Sequence, residues 1–234
     1  MFSQCWRYTL AGCLLSPLCA ADGFHIDPQA DSFYQQAVPY LQKANSKFEA
    51  VTAITPGTSA EEKRRSLDSA AEAGETLKPA IPLLEQAAAL DHPVAQYRLG
   101  LIYVLLEPND VTREKACSLF ERSLGRGFAP PALEIASFCP AYTDTPEYKL
   151  ALQVVETSMP RYERYFPQPA SLLECKRETP PGLGMQWGSS RDFQAEIYRL
   201  QGDGNRARRA EYYRKALDLN DCYKAKKRLA IMAS

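Results

Sequence analysis

Apolar residues recur at helical spacing along most of the chain, and the clearest stretch is residues 94–127. Ala95, Leu99 and Tyr103 fall on one face of a first helix there, as an amphipathic helix requires. A second run with the same spacing covers residues 113–124, after a short polar loop. Residues 94–127 therefore predict two helices that pack against each other through their apolar faces.

The same spacing predicts further helices on both sides of this pair. They cover approximately residues 31–53, 60–73, 76–90, 191–220 (as a second helical pair) and 223–233. Pro39 predicts a kink or a later start in the first of them. Ser59 followed by Glu62 is a capping box for the second, and Gly74 is predicted to end it. Gly100 would let a partner helix approach closely.

The helices repeat with a nearly constant period. Ala80, Ala116 and Ala151 in predicted second helices are 36 and 35 residues apart, and Ala95 and Ala132 in predicted first helices are 37 apart. A pair of short amphipathic helices cannot bury its apolar face alone, so neighbouring pairs stack on a common core. The pattern predicts an all-α chain of stacked helical pairs.

Residues 31–234 are predicted to form this single domain, with one interruption. Residues 160–190, called the insertion below, are rich in proline and glycine, and a short helix over about residues 170–176 is predicted inside them. Long insertions are commonly disordered or functional. Its large apolar residues either pack back on the helices or form a partner-binding loop; they are Tyr162, Tyr165, Phe166, Met185 and Trp187.

Two parts of the chain resemble known helical repeats. Ala95–Tyr103 (AQYRLGLIY), with Lys115–Glu121 (KACSLFE), resembles a Sel1-like repeat, the relative of the tetratricopeptide repeat with a longer inner loop. Tyr198–Asp203 and Tyr212–Leu219 are similar to an ordinary tetratricopeptide repeat. With their neighbours, these segments extend the resemblance over roughly residues 78–159 and 191–232.

This resemblance implies a right-handed α-solenoid of about four helical pairs, whose concave face binds peptides or protein segments. Such proteins in bacterial envelopes serve as assembly scaffolds or adaptors, some are exported to act on host cells, and the fold carries no chemistry of its own. In the family's register, the residues on the concave face are Val94, Tyr97, Leu101 and Val104. Tyr97 is the best contact candidate because aromatic residues dominate recognition surfaces. The alternative is that all four pack between repeats.

The first 21 residues are predicted to be a signal peptide that is not part of the fold. Arg7 precedes an apolar run, and Cys19–Ala21 supplies the small residues expected before a cleavage site after Ala21. A lipoprotein signal in Leu10–Cys13 is the alternative, with a very short apolar run. We expect a mature chain in the periplasm or outside the cell, with a flexible lead-in over residues 22–30 and no membrane span.

Removal of this leader leaves four cysteines, namely Cys117, Cys139, Cys175 and Cys222. An even number in an exported chain indicates disulfides, and four cysteines allow three pairings. Cys117 lies near the start of one second helix and Cys139 near the end of the next first helix, and these ends meet if stacked helices run antiparallel. That predicts Cys117–Cys139, with Cys175–Cys222 by elimination; the alternative is free thiols that pack as small apolar groups.

Charge and chemistry favour a binding protein over an enzyme. Lys plus Arg and Asp plus Glu both number 28, so the net charge of zero does not favour nucleic acid. Basic residues around 224–228 are interpreted as a solvated helix face, or else as a surface for an acidic protein. The two histidines, His25 in the lead-in and His92 in a turn, belong to no catalytic or zinc motif, and no cofactor is expected. We expect a non-enzymatic protein-interaction module, a periplasmic scaffold or adaptor of an envelope assembly. The alternatives are a secreted effector that binds host proteins and, less favoured, an envelope hydrolase that acts on the cell wall.

Overall fold

The computed structural model describes residues 25–48, 51, 57–106, 109–176 and 185–233. In this part of the chain it contains α1 (Pro28–Phe48), α2 (Ala60–Leu77), α3 (Ala80–Ala89), α4 (Pro93–Leu106), α5 (Asp110–Gly125), α6 (Pro131–Phe138), α7 (Pro140–Thr143), α8 (Pro146–Ser158), a 3-10 helix (Met159–Tyr165), strands β1 (Gln168–Ala170) and β2 (Gln186–Gly188), α9 (Ser190–Gly204), α10 (Arg209–Asn220) and α11 (Tyr223–Ala233). The all-α prediction is confirmed. The predicted signal peptide and its cleavage site lie outside the described residues.

Local sequence signals explain where several helices begin and end. The predicted capping box starts α2: the Glu62 amide donates to the Ser59 hydroxyl at 3.3 Å, and the Ser59 amide donates to the Glu62 carboxylate at 2.9 Å. Gly74 does not end this helix, contrary to our prediction. The helix continues through it to Leu77, and Pro79, which has no amide hydrogen for the helical hydrogen-bond ladder, follows the C-cap residue Lys78.

The helices pack largely in the order of the chain. Helix α1 packs on α2 and α3, α3 on α4, α4 on α5, α5 on α6 and α8, α8 on α9, α9 on α10 and α10 on α11. The alanines that mark the repeat are all buried, and they are Ala80, Ala95, Ala116, Ala132 and Ala151. Small side chains at these crossings let the helix backbones come close together. Within the described residues, no helix is long and apolar enough to cross a membrane.

Gly100 sits where α4 packs closely against α5, as predicted. A Cβ atom at this position would lie 2.5 Å from Cε1 of the Phe120 ring, which is itself fully buried. A Cβ atom added to Gly74 in α2 would have no neighbour within 4 Å. Close packing therefore requires glycine at position 100, whereas position 74 has room for a larger side chain.

We expect Gly100→Ala to lower the free energy of unfolding by about 1 to 3 kcal/mol, because Phe120 must move out of a packed core. Gly74→Ala is the matched control and should raise it by about 0.5 to 1 kcal/mol, through helix propensity alone. Urea unfolding of both variants followed by circular dichroism measures this difference. Equal effects of the two substitutions would contradict the close α4–α5 packing.

The described part of the insertion, residues 160–176 and 185–190, folds back on the helices. Its strands β1 and β2 pair antiparallel, with Gln168 opposite Gly188, and the rings of Tyr162 and Tyr165 are buried. The helix predicted over residues 170–176 is wrong. Side chains take the backbone amides there, since Gln186 accepts from Leu173 and Glu196 accepts from Cys175, so a helical ladder does not form.

Two disulfides tie the chain together, with the pairing that we predicted. Cys117–Cys139 joins α5 to the end of α6 across 22 residues. Cys175–Cys222 joins the insertion to the residue that precedes α11 across 47 residues. The second disulfide anchors one end of the insertion to the C-terminal helices.

Replacing Cys175 and Cys222 together by alanine should lower the free energy of unfolding by about 4 kcal/mol, and replacing Cys117 and Cys139 by about 3 kcal/mol, because the longer loop loses more closure entropy. Urea unfolding of the two double variants measures both effects. Peptide mapping without reducing agent checks the pairing itself. Free thiols or a different pairing in the purified protein would contradict the structure.

Candidate functional site

The four residues predicted to line a partner-binding surface are core residues in the structure. The exposed fraction of the side chain is 0% for Val94 and Tyr97, 2% for Leu101 and 8% for Val104. All four side chains are packed within the chain, in line with the alternative interpretation. The predicted contact surface is therefore not exposed in this conformation, because the insertion and neighbouring helices cover it.

Tyr97 contacts the insertion directly. Its hydroxyl donates to the backbone carbonyl of Pro169 in β1, and its ring meets the ring of Phe128 edge to face at 5.7 Å. Tyr97, the best candidate for a partner contact in the sequence, thus binds an extended segment of its own chain. The site that an external segment would use at this position is occupied by β1.

Glu134 in α6 holds the end of β1. Its carboxylate is fully buried and accepts from the Ser171 amide at 3.0 Å and from the Ser171 hydroxyl at 2.6 Å. Burial raises the pKa of Glu134 to about 7, although the Ser171 hydrogen bonds act in the opposite direction. A carboxyl group that changes charge near neutral pH therefore lies between the helical core and the insertion.

Replacing Glu134 by glutamine should change how stability depends on pH. The folded pKa of Glu134 is raised above its ordinary value of 4.5, so its stabilising contribution is present at low pH and is lost as the pH rises through about 7. The amide cannot titrate. We therefore expect the free energy of unfolding of Glu134→Gln to rise relative to that of wild type by about 1 to 3 kcal/mol as the pH increases from about 5 to about 8.

Urea unfolding of both proteins across that pH range measures this difference. Glu163→Gln, at an exposed carboxyl group of the insertion, is the control for the amide substitution. A constant stability difference between Glu134→Gln and wild type over the range would contradict a titrating group at this junction.

A second polar cluster joins the insertion to α1. Asp31 accepts from the guanidinium of Arg164 at 2.9 Å and from the Tyr165 hydroxyl at 2.8 Å. Burial would raise the pKa of Asp31, but the hydrogen bonds from Tyr165 and His92 and the charge of Arg164 outweigh it, so the pKa is lowered. Asp31 is therefore a charged anchor for the insertion at neutral pH.

His92 is part of this cluster, and both of its ring nitrogens are used. Nε2 lies 3.3 Å from the Asp31 carboxylate, and Nδ1 accepts from the Ala95 amide in the first turn of α4. Burial is the largest influence on the imidazole and lowers its pKa, and the ring stacks on Tyr34 with centroids 4.8 Å apart. His92 thus caps a helix and supports the α1 contact, in agreement with its interpretation as a turn histidine.

A cleft remains open between α1, α4 and the insertion, and we call it the Arg98 cleft. One part of it has a volume of about 260 Å³, and its walls include Tyr34, Gln42, Arg98, Gln168 and Trp187. Arg98 donates to the side-chain carbonyl of Gln168 at 3.4 Å, and its guanidinium carbon lies 5.7 Å from the centre of the Trp187 ring. The cleft therefore combines a cation, amide groups and aromatic surface.

An apolar recess adjoins this cleft, because Leu41 and Arg98 line both. Its volume is about 40 Å³, and its other walls include Phe48, Leu101 and Met185. The recess is large enough for part of an aliphatic side chain. Polar and apolar surfaces thus meet at Arg98.

The sequence contained a signal for this residue that our reasoning did not use. Arg98 is the one charged residue in the sequence of α4, PVAQYRLGLIYVLL, so it stands out from an otherwise apolar and buried helix. The residues that complete the cleft come from α1 and from the insertion, and their proximity depends on the tertiary fold. Sequence reasoning therefore identified the right helix but not Arg98, the partly buried charged residue on it.

No known protein family, curated protein or solved structure matches this chain. Among the described residues, no group of three or more histidine, cysteine or acidic side chains is placed to hold a metal ion. The fold and the Arg98 cleft are therefore the basis on which a function is proposed.

Proposed function

We propose that this protein is a non-enzymatic protein-interaction module, a periplasmic scaffold or adaptor of a bacterial envelope assembly, built as an α-solenoid similar to Sel1-like and tetratricopeptide arrays. The observation that carries the proposal is the Arg98 cleft. A guanidinium, amide side chains and an indole ring line it beside an apolar recess. These are the groups that are enriched at protein-recognition sites.

Two features support a repeat architecture. The helices pack in chain order, as they do when each repeat contacts its neighbours. Two helical pairs also share one kind of contact: Gly100 of α4 faces Phe120 of α5, and Gly202 of α9 faces Tyr213 of α10. In both pairs, a Cβ atom added to the glycine would lie 2.5 Å from the aromatic ring. The same close approach in two separate pairs favours a common structural unit.

The disulfides support a location outside the cytoplasm. Cys117–Cys139 and Cys175–Cys222 would form and persist in an oxidising compartment such as the periplasm. This agrees with the export signal that the sequence predicts.

Site-specific photo-crosslinking in intact cells tests the proposal. A benzophenone amino acid in place of Gln42, an exposed residue at the cleft, should crosslink to an envelope protein identifiable by mass spectrometry. The same group in place of Gln153, an exposed residue of α8 that does not line the cleft, is the control. We expect the adduct from position 42 and not from position 153, with the protein in the periplasmic fraction.

Two outcomes would contradict the proposal. Equal adducts from both positions would show adventitious contact, and no adduct from position 42 would remove the cleft as an interaction site. Recovery of the protein from the culture medium alone would instead favour the secreted effector.

A further inference from the structure

Arg98 carries a positive charge that no carboxylate of the described residues balances. Within the described part of the chain it forms no ion pair, and its hydrogen bond goes to the neutral amide of Gln168. Burial lowers the pKa of the guanidinium, and the groups that oppose this effect are Tyr34 and Tyr97 rather than a carboxylate. An arginine remains protonated even so, and a partly buried charge without a counter-ion costs stability.

Other arginines of the chain have carboxylate partners. Arg199, which is buried in α9, pairs with the carboxylates of Glu174, Glu196 and Asp203 at 2.7 to 2.9 Å. Arg164, the second cation at the Arg98 cleft, is paired with Asp31 at 2.9 Å. Among the described residues, carboxylates thus pair with the buried Arg199 and the exposed Arg164 but not with Arg98, so a place for a carboxylate remains beside Arg98.

The surroundings of Arg98 indicate what kind of ligand would supply that carboxylate. On one side, the exposed Gln42 presents an amide group that can pair with a peptide backbone. On the other side, Leu41 and Leu101 belong to the apolar recess. Trp187 is partly exposed between them and offers a flat surface on which a backbone can lie.

We propose that the Arg98 cleft binds a peptide segment in which a carboxylate lies next to an aliphatic side chain. The carboxylate accepts from the Arg98 guanidinium, and the aliphatic group fills the recess beside Leu101. This inference rests on the proposed function, because it names the chemistry of the partner that the cleft would take. The carboxylate belongs either to an acidic side chain or to the C-terminus of the partner.

Selection from a random library of short peptides displayed on their own messenger RNA tests this inference on the full-length mature protein. We expect enriched peptides with an acidic group beside leucine, isoleucine or valine. Selected peptides are then synthesised in three forms: unchanged, with the acidic residue replaced by its amide, and with an amidated C-terminus. Loss of the carboxylate that Arg98 binds should weaken affinity at least about tenfold, as expected for a charge-assisted hydrogen bond.

Arg98→Met is the decisive variant, because it removes the charge and keeps a long apolar side chain. We expect it to lose at least about tenfold in affinity for the selected peptides and to be as stable as wild type or more stable, because an unbalanced charge is removed. Arg98→Lys should keep part of the affinity, since the charge remains but bidentate geometry is lost. Arg161→Met, at an exposed arginine of the insertion that does not line the cleft, is the control and should leave the affinity unchanged.

Three outcomes would overturn the inference: enriched peptides without a carboxylate, equal binding by wild type and Arg98→Met, or no enrichment above background. The photo-crosslink at position 42 separates these from a failure of the proposed function. A partner captured there by both wild type and Arg98→Met would leave the interaction module standing and exclude this ligand chemistry.

Discussion

The contact between Asp31 and the insertion is the interaction on which the rest of the structure depends. Helices that pack in chain order bring together residues that are near in sequence. Asp31 instead binds Arg164 and Tyr165, which are 133 and 134 residues away. The carboxylate lies beside the first turn of α4 as well, through His92. One charged side chain therefore joins the first described helix, a central helix and the insertion.

This long-range contact changes what α4 can do. In an open array of helical pairs, the face of α4 that carries Tyr97 would be free to meet a partner. Here the insertion crosses it, the Tyr97 hydroxyl donates to Pro169, and Glu134 accepts from Ser171 on the other side. The Arg98 cleft is the part of this face that the insertion leaves open. Burial of the predicted contact surface and formation of the Arg98 cleft thus have the same cause.

Sequence reasoning was most successful where local rules decide the structure. The capping box at Ser59, the close approach at Gly100 and the apolar faces of the helices follow from short-range spacing. The Cys117–Cys139 disulfide follows from the helical pairing, because antiparallel helices bring these two residues together, and Cys175–Cys222 then follows by elimination. These features required no knowledge of contacts between distant parts of the chain.

The insertion and the cleft could not be predicted in the same way. Residues 170–176 contain Leu172 and Leu173 and suggest a short helix, but amide partners from Gln186 and Glu196 are supplied by segments that are distant in sequence. That Arg98 has no carboxylate partner among the described residues is likewise visible only once its neighbours in α1 and the insertion are known. Tertiary contacts therefore decide both the fold of the insertion and the location of the candidate site.

The central claim is that the insertion lies against α1 in solution, and an electron–electron distance measurement tests it most directly. Spin labels at Ser32 and Glu163 would be placed on exposed positions next to Asp31 and Arg164, which are in contact at 2.9 Å. The account predicts one short, narrow distribution of distances that does not change when the salt concentration is lowered. A broad distribution at long distances would contradict it, because the insertion would then not close over α4 and the Arg98 cleft would not exist.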